Sequence, residues 1–150
     1  MTEVSVYKLT NTPLEKTLPK LMEKVISGGM RAVILASSKE QVKAFNTLLW
    51  TYSTTTFLPH GSEEDNFAED QPIWLTTLLE NPNNAQVLVL CNGETLESIN
   101  EFQRCLDLYD GNDPEVCAKA ATRIKAYQNQ NHKITLWQQG PKGTWEIVTP

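Results

Sequence analysis

The fold is decided by Val4-Ser-Val-Tyr-Lys-Leu9, by Arg31-Ala-Val-Ile-Leu-Ala36, and by the helical pattern between them. The first run alternates apolar and polar residues, which is typical of a half-buried strand. The second is almost continuously apolar, as expected of a central strand covered on both faces. Between them, apolar residues recur at helical spacing until Gly28-Gly29 ends the pattern. The segment therefore predicts a strand–helix–strand unit.

The helix in this unit begins at a capping pattern, Thr12-Pro-Leu-Glu15. A threonine followed three residues later by a glutamate forms a capping box, and proline is favoured at the first helical position. The pattern predicts Thr12 as the N-cap and Pro13 as the first helical residue. Residues 9–15 contain no glycine, so neither a dinucleotide fingerprint nor a Walker loop follows the first strand. We expect no phosphate-binding loop and no cofactor.

Three further helices are predicted. Ser37-Ser38 supplies the cap of a helix that ends near Trp50, and Asp113-Pro114 opens one that runs to about residue 128. A short helix is predicted over residues 94–102. Together with the first helix, these elements lie between most of the predicted strands.

The remaining strands are predicted at residues 73–78, 86–91, 104–109, 133–137 and 144–148. Residues 51–71 form a long acidic loop, in which Phe67 either packs back onto the core or faces a partner. The order of elements predicts one α/β domain over residues 1–150. Its expected architecture is a Rossmann-like layered sheet with helices on both faces.

The composition argues against several classes of function. The chain has 150 residues, a net charge of −5 and an isoelectric point near 5.0. Phosphate contacts need clustered Lys and Arg, so the surface as a whole is not a nucleic-acid footprint, although a local basic patch is compatible with these numbers. The first residues lack the pattern of a signal peptide and no apolar run could span a bilayer, so we expect a cytoplasmic protein without membrane contact.

No motif indicates catalysis or a metal site. The three cysteines are widely spaced, and neither histidine has a partner at metal-ligand spacing. Cys91 follows a predicted strand, but no nucleophile elbow surrounds it. We therefore expect no catalytic residue, no metal ligand and no enzymatic activity.

The candidate binding residues lie on the last long helix and around the acidic loop. Helical periodicity places Lys119 and Arg123 on one face, with Lys125 and Tyr127 nearby. These cations either form a solvated face near the negative end of the helix or clamp a carboxylate or acidic peptide. Trp50 and Phe57 flank the loop and are the aromatic residues we expect to face a partner.

Short motifs along the chain occur together in an order and spacing that are quite specific. They are Tyr7-Lys-Leu9, Gly28-Gly-Met-Arg-Ala-Val-Ile-Leu35, Leu49-Trp50, Phe57-Leu-Pro-His60 and Lys125-Ala-Tyr127. Over nearly its whole length the chain thereby resembles the chi subunit family of bacterial DNA polymerase III. Asp107-Leu-Tyr-Asp-Gly-Asn-Asp113 and His132-Lys-Ile-Thr-Leu-Trp-Gln-Gln139 are most similar to the alphaproteobacterial branch.

This resemblance implies a non-enzymatic accessory subunit with an α/β fold and two docking surfaces. One would bind the acidic, phenylalanine-terminated tail of the single-stranded-DNA-binding protein, through Lys119, Arg123, Ile124, Lys125 and Tyr127. Ile124 stands where the family often has an aromatic residue, and Cys117 and Ala121 fill positions that can be basic. The other surface would bind the psi subunit of the clamp loader or a helicase, through Trp50, Phe57, Pro59 and His60.

Two other functions are compatible with the predicted fold. A degenerate nucleotide-binding or hydrolase domain would explain the order of strands and helices but not the missing glycines. A direct single-stranded-DNA-binding module would need a basic surface, which the net charge of −5 opposes. The sequence therefore predicts an adaptor with little or no nucleic-acid contact of its own.

Overall fold

The computed structural model describes residues 2–53, 58–63, 65, 67–91, 96, 99–142 and 144–148. Within them the chain forms eight strands and three α-helices. The strands are β1 (Glu3–Leu9), β2 (Ala32–Leu35), β3 (Gly61–Ser62), β4 (Ile73–Thr76), β5 (Val87–Cys91), β6 (Arg104–Asp110), β7 (Lys133–Gln139) and β8 (Trp145–Val148). The helices are α1 (Leu14–Ser27), α2 (Lys39–Thr51) and α3 (Pro114–Asn129).

The strands form one sheet in the order β3-β4-β2-β5-β6-β1-β7-β8. Neighbouring strands are parallel except for the hairpin of β7 and β8. Parallel strands need crossover connections, and α1, α2 and α3, which lie on the two faces, supply those from β1 to β2, from β2 to β3 and from β6 to β7. The predicted layered α/β fold is confirmed, as is the terminal hairpin.

Two cores lie on the two faces of this sheet. One contains Leu18, Met22 and Val25 of α1 and Phe45 and Leu49 of α2, packed on the sheet. The other contains Ala120 and Tyr127 of α3 and the alternate side chains of the same strands. Successive strand residues point to opposite faces, so central strands such as β5 are buried at every position.

Two helix caps agree with the sequence prediction, and one does not. Ser38 caps α2 by accepting a hydrogen bond from the Gln41 N–H at 3.1 Å, and Asp113 caps α3 in the same way. At α1, however, Pro13 occupies the N-cap position without a side-chain cap, so the prediction of Thr12 as N-cap is wrong by one residue. The Thr12 hydroxyl instead accepts a hydrogen bond from Gln139 Nε2 at 2.7 Å.

The acidic loop contains more structure than the sequence predicted. Gly61 and Ser62 form β3 beside β4, and Ala68–Asp70 form a 3₁₀ turn. Phe67 is 67% exposed, so of its two predicted positions the structure shows the outward one. Residues 54–57, 64 and 66 lie outside the described residues, as do residues 94, 95, 97 and 98 of the short helix predicted over 94–102. The described residues of that segment, 96 and 99–102, are not helical. No helix among the described residues is both long and apolar enough to cross a membrane.

Candidate functional site

The inner face of α3 carries a buried ion pair. Arg123 donates from Nε and Nη2 to the two carboxylate oxygens of Asp107, each at 2.8 Å. Tyr127, one turn further along α3, donates its hydroxyl to Asp107 Oδ2 at 2.8 Å. Arg123 and Asp107 are each only 1% exposed. Bidentate, charge-assisted contacts of this kind fix the position of α3 on β6.

The pKa values show how this cluster stays satisfied. Burial alone lowers the pKa of Arg123, but its hydrogen bond and attraction to Asp107 outweigh that effect and raise it, so the guanidinium stays charged. Burial and the Asp107 charge raise the pKa of Tyr127, which keeps its hydroxyl a donor. The side chains of Arg123 and Tyr127 therefore form their hydrogen bonds in the interior of the protein.

This burial corrects part of the predicted tail site. The sequence placed Arg123 and Tyr127 among the residues that contact a partner. In the structure both side chains lie between α3 and β6. Periodicity identifies which residues share a helix face, but not which face is buried. The signal that could have settled this is Asp107, an acid in the middle of the apolar strand β6, which needs a buried donor.

The outer side of α3 keeps the other three predicted residues. Lys119 and Lys125 are exposed, and Ile124 is half-buried. Ile124 walls a cavity of about 150 Å³, which we call the α3 pocket. Its other lining residues are Val6, Lys8, Tyr109, Leu136, Trp137, Gln138 and Val148. The structure thus brings Ile124 together with a cation that the sequence did not single out, Lys8 of β1.

Trp50 and His60 form the second predicted surface. Trp50 is 55% exposed, and its ring meets the His60 ring at a centroid distance of 5.2 Å. The His60 ring nitrogens lie 2.7 Å from the Leu58 carbonyl oxygen and 2.9 Å from Asn46 Oδ1. His60 therefore orients Trp50 from a buried position, while Pro59 is half-buried beside it. Phe57 lies outside the described residues.

The loop after β1 shows why this sheet differs from nucleotide-binding ones. Backbone N–H groups of Thr10, Asn11 and Thr12 all donate to Gln139 Oε1, at 3.1, 2.9 and 3.0 Å. In doubly wound folds a phosphate commonly binds to N–H groups at this place. The adjoining cavity of about 410 Å³ is lined by the carboxylates Glu15 and Asp110, which would repel a phosphate. These contacts oppose the nucleotide-binding alternative.

The thiols and acids show no reactive arrangement. Burial raises the pKa of Cys91 and that of Cys105, so both thiols stay protonated. Among the described residues, no group of three or more His, Cys, Asp or Glu side chains is placed to hold a metal ion.

His132 gives the junction between α3 and β7 a pH dependence. Its Nδ1 accepts a hydrogen bond from the Thr2 N–H at 3.1 Å, which requires that nitrogen to be unprotonated. Burial lowers the pKa of His132. A lowered pKa means that this stabilisation is present above about pH 6.5, the ordinary histidine value, and is lost as the pH falls through the folded-state value.

We therefore expect the melting temperature to fall on acidification below about pH 6.5, and the fall to be smaller in His132→Gln. Thermal unfolding followed by circular dichroism across this pH range is the measurement. An identical pH profile in His132→Gln would show that other groups cause the acid sensitivity.

Comparison with known proteins defines the family. The family model described as DNA polymerase III chi subunit, HolC, matches residues 1–135. The chain belongs to the DNA polymerase III chi subunit family. A curated relative, the probable DNA polymerase III subunit chi of Rickettsia prowazekii (strain Madrid E), is 35% identical over 155 residues, which cover 99% of this chain and 93% of the relative. The resemblance inferred from the sequence is confirmed, including its alphaproteobacterial character.

Membership of the chi family makes this chain an accessory subunit of DNA polymerase III and places it in DNA replication. The family match includes β1, all three helices and the first residues of β7. Trp137, Gln139 and β8 lie beyond the matched segment, although the Rickettsia relative aligns over nearly the whole chain. Gln139, which fills the loop after β1, and the residues that complete the sheet edge therefore lie outside the segment that the family model matches.

Proposed function

We propose that this chi-family subunit connects the clamp-loader assembly to single-stranded-DNA-binding protein, by docking the acidic C-terminal tail of that protein at the α3 pocket. The observation that carries the proposal is a pocket with apolar side chains in its wall and cations in and beside it. Ile124 walls the pocket, Lys8 lines it, and Lys125 is exposed at the neighbouring helix position. An aromatic side chain followed by a carboxylate is the ligand chemistry that this combination fits.

The size of the α3 pocket suits one phenyl ring. Its volume is about 150 Å³, and an apolar cavity of about that volume binds benzene. Burying a phenylalanine side chain contributes about 2–3 kcal/mol, and a lysine adds a charge-assisted hydrogen bond to the terminal carboxylate. These contributions correspond to binding on the order of micromolar.

A contact this weak is useful when it is repeated. The protein that coats single-stranded DNA presents several tails. Once one tail is bound, binding of a second tail is intramolecular, so the overall attachment strengthens. The net charge of −5 disfavours direct binding of DNA by this subunit, which leaves the tail as the point of attachment. Arg123 and Tyr127 support the pocket from beneath by holding α3 on β6, without meeting the ligand.

The described part of the second predicted surface, which consists of Trp50, Pro59 and His60 and which we call the Trp50 patch, suits the psi subunit of the clamp loader. Trp50 is an exposed aromatic anchor that a buried histidine orients, and such residues often dominate protein interfaces. Leu78 and Leu79, 62% and 46% exposed, follow β4 and add further apolar area to the surface of the chain. This patch and the α3 pocket are built on different helices, so both partners could bind together.

The tail site predicts a specific effect of charge reversal. Lys125→Glu should weaken binding of a labelled acidic peptide that ends in phenylalanine by at least about tenfold, because a carboxylate replaces an ammonium beside the terminal carboxylate. Fluorescence anisotropy at low and high salt, with an amide-capped copy of the peptide, is the measurement. Binding should fall with salt and with the cap.

The matched control is Lys43→Glu, an equal charge reversal at an exposed position of α2, across the sheet from α3. It should leave binding of the phenylalanine-terminated peptide within about twofold of the wild type. Equal loss in both variants would show a general charge effect, and undiminished binding in Lys125→Glu would move the tail site away from α3.

A further inference from the structure

A groove on the face of the sheet opposite α3 combines cations with aromatic rings. It lies between α1 and the edge formed by β1, β7 and β8, and its volume is about 380 Å³. Its helical wall carries Lys16, Lys20 and Lys24, and its floor carries Tyr7, Trp137 and Trp145. We call it the α1 groove. None of its aromatic or cationic residues takes part in the α3 pocket except Trp137, which borders both.

The floor of the α1 groove is a connected aromatic surface. Tyr7 and Trp137 are neighbours across β1 and β7, with nearly parallel rings whose centroids are 6.1 Å apart. The Trp145 ring meets Tyr7 edge-on at 5.2 Å. Ile147, which pairs with Trp137 across the hairpin, is 66% exposed. The apolar floor therefore continues outward to the edge of the sheet.

The wall of the groove is a row of like charges. Lys16, Lys20 and Lys24 are four residues apart, so they lie on one side of α1 at intervals of about 6 Å. All three are exposed, and none forms an ion pair with another described residue. Like charges at this spacing destabilise a helix, so the arrangement opposes folding unless something else neutralises it.

The described residues that line the two cavities beside the row include no acid, although Glu15 and Glu23 lie elsewhere on α1. The second of these cavities, of about 150 Å³, shares Tyr7 and Lys24 with the groove and adds Arg104. Removing the three lysines from the net charge of −5 leaves −8 on the rest of the chain. The groove is thus a basic strip on an acidic protein.

We propose that the α1 groove binds an internal acidic segment of a partner protein in extended conformation, with an apolar side chain on the aromatic floor. Alternate side chains of an extended peptide are about 6.6–6.8 Å apart, close to the spacing of the lysines. The lysines form a row instead of converging on one point, which suits successive carboxylates better than a single chain end. The site therefore differs in ligand and in location from the α3 pocket.

A peptide fits these observations better than a nucleic acid. The three lysines span about 12 Å, which corresponds to about four residues of extended peptide. A longer polyanion would pass from the basic strip onto the acidic remainder of the surface and be repelled there. The inference does not depend on the proposed tail site, because the two sites lie on opposite faces and use different probes.

The test uses a labelled peptide with both ends capped, in which glutamate alternates with serine and one central phenylalanine, and a copy with glutamine in place of glutamate. The capped acidic peptide should bind the full chain, and Lys20→Glu should weaken it by at least tenfold. Lys125→Glu, the equal change on α3, should alter it by less than twofold. Thermal unfolding should show Lys20→Glu to be at least as stable as the wild type, because a glutamate between Lys16 and Lys24 relieves the repulsion in the row. Weaker binding therefore cannot be attributed to unfolding.

Three outcomes would overturn the proposal. They are equal binding of the glutamate and glutamine peptides, undiminished binding in Lys20→Glu, and displacement of the capped peptide by a short oligothymidylate that itself binds more tightly. The last outcome would make the groove a nucleic-acid site. Loss of only the phenylalanine-terminated peptide, in Lys125→Glu, would concern the α3 pocket and not this groove.

Discussion

Arg123→Met should lower the free energy of unfolding by about 3–5 kcal/mol, because it leaves the Asp107 carboxylate buried without a positive partner. Asp107 is 1% exposed and accepts hydrogen bonds from Arg123 at two oxygens and from Tyr127 at one. Tyr127 alone cannot neutralise the charge. Urea denaturation followed by circular dichroism measures the change.

The triple variant Arg123→Met, Asp107→Leu and Tyr127→Phe should recover most of this loss, since replacing a buried polar cluster by apolar residues of similar volume is often neutral and no buried donor is left without an acceptor. Lys125→Met, on the exposed side of the same helix, is the control and should change stability by less than about 0.5 kcal/mol. A loss of under about 1 kcal/mol in Arg123→Met would contradict the buried position of the guanidinium.

Gln139→Ala should destabilise the protein by about 2–3 kcal/mol, because three backbone N–H groups lose their common acceptor. Those groups belong to Thr10, Asn11 and Thr12, and the Gln139 side chain is 6% exposed. Its amide also donates to the Thr12 hydroxyl. The side chain therefore ties the end of β7 to the start of α1.

Gln139→Glu provides the informative comparison. A carboxylate keeps the acceptor and strengthens it by its charge, and the Thr12 hydroxyl can turn from acceptor to donor. We expect Gln139→Glu to lose less than half as much stability as Gln139→Ala in the same urea titration. Equal stability of Gln139→Ala and the wild type would show that solvent replaces the glutamine without cost.

Gln139→Ala also tests whether the loop after β1 can bind a phosphate. It would free three N–H groups at a place where related folds bind phosphate. Glu15 and Asp110 would still line the adjoining cavity, so the change should not create nucleotide binding. Phosphate binding is thus disfavoured twice: Gln139 occupies the three N–H groups, and the carboxylates that line the cavity repel an anion.

The two proposed docking sites are built by different parts of the chain. The α3 pocket depends on Ile124 and on strands within and just beyond the family match, whereas the floor of the α1 groove depends on Trp137 and Trp145 beyond it. Binding experiments that pair Lys125→Glu with Lys20→Glu therefore separate the proposed tail site from the proposed groove.

Much of the architecture followed from local patterns. The alternation in Val4–Leu9, the apolar run at residues 31–36 and the cap at Asp113 identify their elements, because side-chain period and cap chemistry are properties of neighbouring residues. The missing glycines after β1 are a further local pattern, and from them we predict that no phosphate-binding loop forms. The order of these elements was enough to predict a layered α/β sheet and, through the resemblance, the chi family.

The sequence by itself determined which residues share a helix or strand face, and only the tertiary structure decided what each face meets. Arg123 and Lys119 belong to one helix, yet Arg123 is buried on Asp107 while Lys119 is exposed. Gln139 reaches Thr12 across 127 residues of chain, and the lysines of α1 meet the tryptophans of β7 and β8 across a similar separation. Contacts between distant segments depend on the pairing of strands, which no local spacing specifies.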